Sequence, residues 1–435
     1  MPELSNSIDI AYYTLQRADI RRYKSKDRPY SIVNHIGTIS FSESIHSPIL
    51  YGEIQMIDTS DIVTNMPIIG EEILSIAYTD FFGNELEQEF FIYAIDEMLE
   101  ARHTNVLYYK IKFISIEHFL SASKSISKGY RQRQLSTIVQ EIFDEYLVNT
   151  EEFAQKTNTI DIEPTLGIQS LIIPDLEPIS AIDFLKRRSA SLEYEGHNFY
   201  FFQTRSQFRF TTDERLIEES QRGKKDFNPK NVYVYDPAIL DQPVEKRSIA
   251  MNNIQSFILM SKFNTINEMK SGAMSIDAIT IDLQQKQYKH NVYDYKETYK
   301  EIIHTDSEVK FKHTDKFIED FYGPENHKVS MIVWEDIDRQ FTRLYKDILG
   351  NRIPNYYYRN TLQAKIEVFG RNDLSSGDVI KLQIPELQDN VNKGKEIHRD
   401  LSGYWLINSI NHELSVGKNY NMTMVISKDL IKDGV

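Results

Sequence analysis

The strongest constraint on this chain is a pattern that occurs twice. Gly70-Glu71-Glu72-Ile73-Leu74 opens a segment that continues through a turn to Phe91-Ile92-Tyr93-Ala94-Ile95-Asp96-Glu97-Met98 and closes at Phe113-Ile114-Ser115. Gly377-Asp378-Val379-Ile380-Lys381 opens another, which continues to Trp405-Leu406-Ile407-Asn408-Ser409-Ile410-Asn411-His412-Glu413-Leu414 and closes at Val425-Ile426-Ser427. Glycine to serine spans 45 residues in the first segment and 50 in the second, and the excess sits where Pro385 to Ser402 replaces Asp80 to Gln88. A glycine followed by an acid just before a strand suits a tight turn that needs permissive backbone angles. The aromatic-led strand and its hairpin partner then supply a barrel wall. Two like β-barrels in one chain form an internal duplication; strand patterns are weakly specific, so chance likeness is the competing reading. With a real duplication, three copies of the chain present six alike units around an axis.

Turn signals divide the stretch around the first copy. Tyr30 to Ser42, Leu50 to Asp58, Glu72 to Thr79, Gln88 to Met98 and Val106 to Ile116 are rich in Ile, Tyr and Phe with partial period-two alternation, which predicts strands. Ser47-Pro48, Pro67 with Gly70, Phe82-Gly83-Asn84 and His103-Thr104-Asn105 mark the breaks. An antiparallel barrel or sandwich of about 90 residues is expected there.

From Leu120 the period changes. Leu135, Ile138, Val139, Ile142, Phe143 and Tyr146 recur at helical spacing within Gln134 to Leu147, which gives one apolar stripe. Ile179 to Leu192, introduced by Pro178, is the expected partner helix. Asn198 to Thr212 alternates in aromatics (Tyr200, Phe202, Phe208, Phe210) around a turn at Arg205 to Gln207, a cluster that reads as core rather than cofactor box. Arg222 to Lys230 is a polar joint. Strands follow at Asn253 to Phe263, Ala278 to Gln284, Leu362 to Phe369, Val379 to Ile384, Tyr404 to Leu414 and Tyr420 to Ile426, with helical spacing across Glu335 to Leu349. The tract Tyr288 to Lys328 fits no period and reads as an exposed connection.

The expected organisation is an N-terminal arm (1–29), a first barrel (30–118), an α+β insert (119–228), the first part of a second barrel (229–287), an extension with a helix (288–350) and the remainder of the second barrel (351–435). The fold class is mainly β with an α+β insert: two similar antiparallel β-barrel domains plus a small α+β domain.

Composition narrows the function classes. A chain of 435 residues exceeds the size at which one core stops growing, and 41% hydrophobic with 26% charged residues is ordinary for globular proteins. The longest apolar runs, such as Ile254 to Met260, are far shorter than the roughly 18 residues of a membrane helix, so no membrane insertion is expected. Met1 to Tyr13 lacks the pattern of a secretory leader, which points to assembly in a cytoplasm. Cysteine is absent, which excludes disulfides, thiolate zinc sites and cysteine nucleophiles. A net charge of -14 disfavours gripping DNA and is compatible with letting it pass, the plainer reading being solubility.

No catalytic residue, cofactor site or metal site is expected. Neighbouring carboxylates (Glu71 with Glu72, Glu151 with Glu152, Glu218 with Glu219) are too common among 64 acids to single out a glycosidase pair. His304 and His313 lack metal-ligand spacing, and His412-Glu413 falls in a barrel strand. Ser180 and Ser189 have no Gly-x-Ser-x-Gly elbow, and no phosphate-cradling glycine motif occurs. The basic residues Arg17, Arg21, Arg22, Lys24, Lys26 and Arg28 read as a docking arm or solvated segment, and Lys186-Arg187-Arg188 suits the end of a helix.

Several segments also resemble a known family. Ser44-Ile45-His46-Ser47-Pro48-Ile49-Leu50-Tyr51-Gly52, then Ile57-Asp58-Thr59-Ser60-Asp61-Ile62, then Pro67-Ile68-Ile69-Gly70-Glu71-Glu72 resembles the opening barrel of baseplate hub proteins of contractile-tailed phages. The pattern is similar to the hub portion of type VI secretion spike proteins. Pro174 to Leu185 with the hairpin at Phe199 to Phe210 resembles that family's inserted domain, and Leu374 to Asp378 with Ile410 to Ser415 resembles its second barrel. The resemblance implies tail-tube-like barrels and a homotrimer whose six barrels form a pseudo-hexameric ring in the tail baseplate of a virion. It implies a central spike protein, a tail tube or tube-initiator protein and wedge proteins as partners, with DNA passing through. A lumen lined by acids would repel that DNA. The chain stops at Val435 without a repeated β-helix, so the spike is expected to be a separate polypeptide. The alternatives are a tail-associated peptidoglycan hydrolase and a type VI secretion-like hub adaptor.

Overall fold

The computed structural model describes residues 12–25, 28–66, 68–101, 106–148, 159–221, 231–236, 252–282, 286–306, 313–322, 328–335, 350–386, 397–415 and 419–429. Alternation of buried and exposed side chains builds its first unit. The strands are β1 (Thr14–Arg22), β2 (Tyr30–Ser31), β3 (Ile36–Ser44), β4 (Ser47–Asp58), β5 (Glu72–Thr79), β6 (Glu85–Ala101) and β7 (Val106–Ser115). In β7 the residues Tyr109, Ile111 and Phe113 are buried while Lys110 and Lys112 point to the other face, the period of two that a half-covered sheet requires. The strands lie in the order β2-β1-β5-β6-β7-β4-β3, each pair antiparallel.

The insert follows as β8 (Ile126–Arg133), β9 (Ile160–Ile162), β10 (Gln169–Leu176), β11 (Phe199–Gln203) and β12 (Phe208–Thr212) with helices Leu135–Ile142 and Pro178–Lys186. Its apolar stripe is the predicted one: Leu135, Ile138, Val139, Ile142 and Phe143 are buried against Ile182 and Leu185. The first helix continues as a π-helix over Phe143–Leu147, and the second stops at Lys186, short of the expected Leu192. The aromatic hairpin is buried on both faces. Phe199, Phe201, Phe208 and Phe210 join the insert's core, whereas Tyr200 and Phe202 pack with Ile45, Val379 and Leu406 of the large sheet.

The rest comprises β13 (Val232–Val234), β14 (Ser256–Ser261), β15 (Ser275–Asp282), β16 (Gln287–Asp294), β17 (Lys328–Glu335), β18 (Leu362–Phe369), β19 (Val379–Gln383), β20 (Gly403–Ser415) and β21 (Tyr420–Lys428). The second unit repeats five strands of the first. The order β3-β4-β7-β6-β5 is matched by β14-β18-β21-β20-β19. Register agrees as well: Gly52 faces Phe113 as Ala364 faces Ile426, and Leu74 faces Phe90 as Ile380 faces Trp405. Each long strand slips register at the same point, after Ile92 in β6 and after Ile407 in β20. The glycine turns also match, with φ of 91° at Gly70 and 93° at Gly377. The acid that follows holds each turn: Glu72 accepts from the backbone N–H of Ile69, Gly70 and Glu71, and Asp378 from that of Ser375. One difference stands out, since β1 joins β5 antiparallel whereas β13 joins β19 parallel.

The mainly β class with an α+β insert is thus realised with its two like units fused into one 13-stranded sheet. The bond between them is β20 against β3, opposed at seven positions from Ser409–Ser44 to Ser415–Thr38. A single core draws on both, from Ile20, Ile54 and Phe113 to Ile366, Trp405 and Met424.

Three expectations need correction. Residues 14–22 lie in the sheet rather than in an arm, because Ala18 and Ile20 supply buried positions between outward polar ones. Ala278 to Gln284 was expected in the second barrel, but β15 pairs with β16 and β17 in a separate three-stranded sheet. The tract 288–328 is no mere connection: it contributes most of β16 and a helix over Asp315–Tyr322, and Tyr295, Tyr299 and Ile302 are buried with Tyr358. Tyr295 and Tyr358 stack with ring centroids 4.6 Å apart. The joint Arg222 to Lys230 and the helical spacing after Glu335 lie outside the described residues, and a helix over 350–359 follows.

Gly52 tests this packing. A Cβ there would stand 2.3 Å from the Ser40 carbonyl oxygen and 2.5 Å from the Phe113 ring. Gly52→Val is expected to cost about 3 kcal/mol, read as a lower midpoint in urea denaturation. Gly129→Ala, whose Cβ meets only Ile172 at 3.8 Å, should leave the midpoint unchanged.

Candidate functional site

A buried polar site lies where the two units meet. On the core side of the seam, the rings of Phe41 (β3) and His412 (β20) stack 4.6 Å apart, both buried. His412 Nδ1 lies 2.7 Å from the Tyr420 hydroxyl. Tyr420 meets Tyr78 and Tyr13 edge to face, which extends an aromatic column from the second unit into the first. Gly370 makes room for it, since a Cβ there would lie 2.2 Å from the Tyr420 ring.

A buried carboxylate sits in this column. Glu43 alternates with Ser42 and Ser44 on β3 and is 1% exposed, with His412 Nε2 at 3.5 Å and Arg205 Nη2 at 3.6 Å. Arg205 arrives from outside, at the tip of the β11–β12 hairpin. Its guanidinium also donates to the Leu374 carbonyl and to Asn372 Oδ1, the latter at 3.3 Å. Desolvation pushes the Glu43 carboxyl upward, but the Arg205 charge and His412 outweigh it and hold it below its ordinary value. The same burial, together with Arg205, depresses His412 to about 4, so its imidazole is neutral near pH 7. The insert is therefore pinned at the seam by one cation.

A second lock joins the insert, the extension and the end of β21. Arg359 from the 350–359 helix donates Nε to Asp213 at 3.1 Å, Nη1 to Asp429 at 2.5 Å and Nη2 to the Ile303 carbonyl at 2.7 Å. Asp429 also lies 2.7 Å from His304 Nδ1 and accepts from the Thr305 N–H at 2.9 Å. Desolvation would raise the Asp429 carboxyl, yet Arg359 and His304 hold it well below the usual carboxylate range. Beside them, desolvation and the Asp213 charge raise Glu214 to about 7.

The opposite face of the sheet is polar and of mixed sign. At the seam, Ser42 donates to Asn411 Oδ1 at 2.8 Å. Next to it Lys110 pairs with Glu53 at 3.7 Å and Glu97 at 2.8 Å, and Lys112 pairs with Asp96.

The residues singled out from sequence take structural places. Glu72 is buried in its turn, Glu218 accepts from the Tyr194 hydroxyl at 2.5 Å, and Glu219 pairs with Arg209 and Arg215. Glu151 and Glu152 lie outside the described residues. His313 lies 3.3 Å from Glu268, Ser189 donates to the Leu185 carbonyl, and Ser180 sits in the helix Pro178–Lys186. Arg17 and Arg21 reach across β5 to Glu87 and Glu89 at 2.7 and 3.1 Å, so they brace the sheet. Lys186 and Arg187 both pair with Asp183. Among the described residues no group of three His, Asp or Glu side chains is placed to hold a metal ion. Glu43, Arg205 and Arg359 went unnoticed in the sequence, where nothing local distinguishes them from surface charges.

No protein-family model matches the sequence, and neither does any curated protein. Solved structures do match. A tail protein from Neisseria meningitidis superposes with a TM-score of 0.54 at 8% identity, covering 97% of this chain and 98% of that one. The 43 kDa tail protein of prophage MuSo2 from Shewanella oneidensis gives 0.50 at 9% identity, covering 95% and 98%. A component of the type VI secretion system of E. coli gives 0.42 at 9%, covering 96% and 78%. The chain shares its fold, over nearly its whole length, with the two tail proteins.

Two outcomes are expected at the seam. Arg205→Leu leaves Glu43 buried without its cation and should cost about 3 kcal/mol, while Arg205→Leu with Glu43→Leu should recover more than half of it, as read in a double-mutant cycle. His412 is depressed from its ordinary 6.5 to about 4 in the fold. Its contribution is complete above pH 6.5 and is lost as pH falls toward 4, up to about 3 kcal/mol. The stability gap between the native chain and His412→Gln should therefore narrow between pH 7 and pH 4 in urea denaturation.

Proposed function

We propose that this chain is a structural subunit of a phage tail baseplate: a central hub that forms a homotrimeric, pseudo-sixfold ring between the tail tube and a central spike. The observation that carries the reading is the repeated unit, joined head to tail within one continuous sheet. A junction of that kind repeats by rotation, and a rotation that closes makes a ring in which two units per chain give twice as many positions as chains. The fold shared with two tail proteins supports a role in a tail. The described side chains act as braces, turn caps and interlocks, which suits a mechanical part better than a hydrolase.

In this ring the polar face of the sheet lines the channel. Lys110 and Lys112 are neutralised by Glu53, Glu97 and Asp96, so the wall offers DNA neither a basic track to grip nor a strongly acidic one. Passage then depends on the wall's weak net field rather than on repulsion. The ring's outer partners, in this reading, are wedge proteins of a contractile tail, reached by the insert and the extension.

Light scattering on purified protein is expected to give about 153 kDa, three chains of 51.0 kDa, and negative-stain images a hollow ring. A 51.0 kDa species at every concentration would remove the basis of the proposal.

A further inference from the structure

The repeat specifies how one chain meets the next. Within the chain, β20 offers one edge to two partners: Gly403–Leu406 pairs with β19, and Ser409–Ser415 pairs with β3. Its counterpart β6 offers Glu85–Phe91 to β5, but from Ile92 to Ala101 the same edge has no partner among the described residues. The counterpart of β3 is β14, which pairs with β18 and, among the described residues, has no partner on its other edge. These two edges, open among the described residues, are the equivalents of the two edges that meet at the middle of the sheet.

Side chains at the two sets of edges tell the same story. Glu413 faces Asn421 and Ser40 faces Glu53; the matching residues are Leu99, which faces Tyr108, and Ile258, which faces Lys365. The seam pair Glu413–Ser40 therefore translates to Leu99 and Ile258, exposed by 65% and 52%. On the core side, β6 carries one residue more than β20, a bulge between Asp96 and Leu99: Glu97 turns to Lys110 on the other face, and Met98 takes the place of His412, so that the buried pair His412–Phe41 translates to Met98 and Leu259, exposed by 54% and 38%. Four apolar side chains are left in water at strand edges, where soluble proteins ordinarily place charges. Glu100 departs from the match, standing where Leu414 does at the end of the seam.

We infer that the Ser256–Ser261 edge of one chain pairs antiparallel with the Ile92–Ala101 edge of a second copy, in the register of the internal seam, with Ile258 opposite Leu99 and Leu259 opposite Met98. The inference rests on the ring reading and adds the contact that builds it: the sheet continues from chain to chain through copies of its own β20–β3 junction. Main-chain hydrogen bonds then supply affinity, and the apolar pairs fix the register.

The chain's lack of cysteine makes the test direct. Opposed residues on neighbouring strands have Cα atoms about 4.5–5.5 Å apart, within disulfide reach. The full chain carrying Leu99→Cys and Ile258→Cys is expected, on mild oxidation, to give covalent dimers and trimers on non-reducing gels. The control pair Leu99→Cys with Phe263→Cys, five residues further on and beyond the end of β14, should stay largely uncrosslinked. Met98→Lys, at a side chain exposed in the single chain, should leave far-UV circular dichroism unchanged and lower the mass by light scattering to that of a monomer. A trimer by mass with no cross-link, or with equal cross-linking of the control, would overturn this edge assignment and leave the ring intact. A native chain that is monomeric throughout would overturn both.

Discussion

A strand edge is a row of unmet hydrogen-bond donors and acceptors, and this molecule is organised by how its edges are met. Each repeated unit has one strand too long for its hairpin partner: β20 outruns β19, and the surplus from Ser409 to Ser415 pairs with β3 of the other unit. Without that surplus the two units would be beads on a string. With it they share one sheet and one core, so neither can shift in register without exposing the alternate face of its neighbour. The slip after Ile92 and after Ile407 belongs to this arrangement, since it lies where each long strand leaves its hairpin partner. A bulge there adds local twist and re-aims the strand.

Two of the buried cations, Arg205 and Arg359, act on this frame differently from the apolar core. Burying Arg205 and Arg359 costs several kcal/mol each in desolvation, which the facing carboxylates offset without much surplus. Their effect is on arrangement. Arg205 has acceptors on β3 and on the residues before the Gly377 turn, so only one placement of the hairpin tip satisfies it. Arg359 is held in the same way by the insert, the extension and the end of β21. Apolar faces such as that of Tyr200 and Phe202 tolerate sliding; a guanidinium with fixed acceptors does not.

What the sequence made legible follows from this division. Elements whose pattern is local were readable: Glu72–Thr79 and Leu362–Phe369 announce themselves by alternation, the Leu135 to Phe143 stripe by helical spacing, and the Arg205 turn by its flanking aromatics. The duplication was visible because glycine, acid and aromatic recur at similar intervals. β1 was hidden because its outward positions are mostly arginines and its buried ones only Ala18 and Ile20, a weak contrast that suggests a basic arm. The stretch from 288 was hidden because its elements are short and its core is made of tyrosines, which read as surface when charges surround them. The pairings of Glu43, Arg205, His412 and Arg359 could not be read, since a charged residue becomes a lock only through partners far away in sequence.

Divergence between the units follows the same logic. Pairing order agrees over five strands of each unit, and register agrees apart from a second slip in β6 between Asp96 and Leu99, whereas chain length differs most at particular turns. β3 passes to β4 through two residues, yet the equivalent step from β14 to β18 carries β15, β16, β17 and the extension. Closing a longer loop adds little entropy cost per doubling, so such growth is tolerated where the strand ends stay fixed. The added mass must not wander, however, and Arg359 holds the extension through the Ile303 carbonyl, as Arg205 holds the insert at the seam. A frame that needs constant edges, together with appendages that need fixed seats, leaves an evolving chain free to change everything between those points.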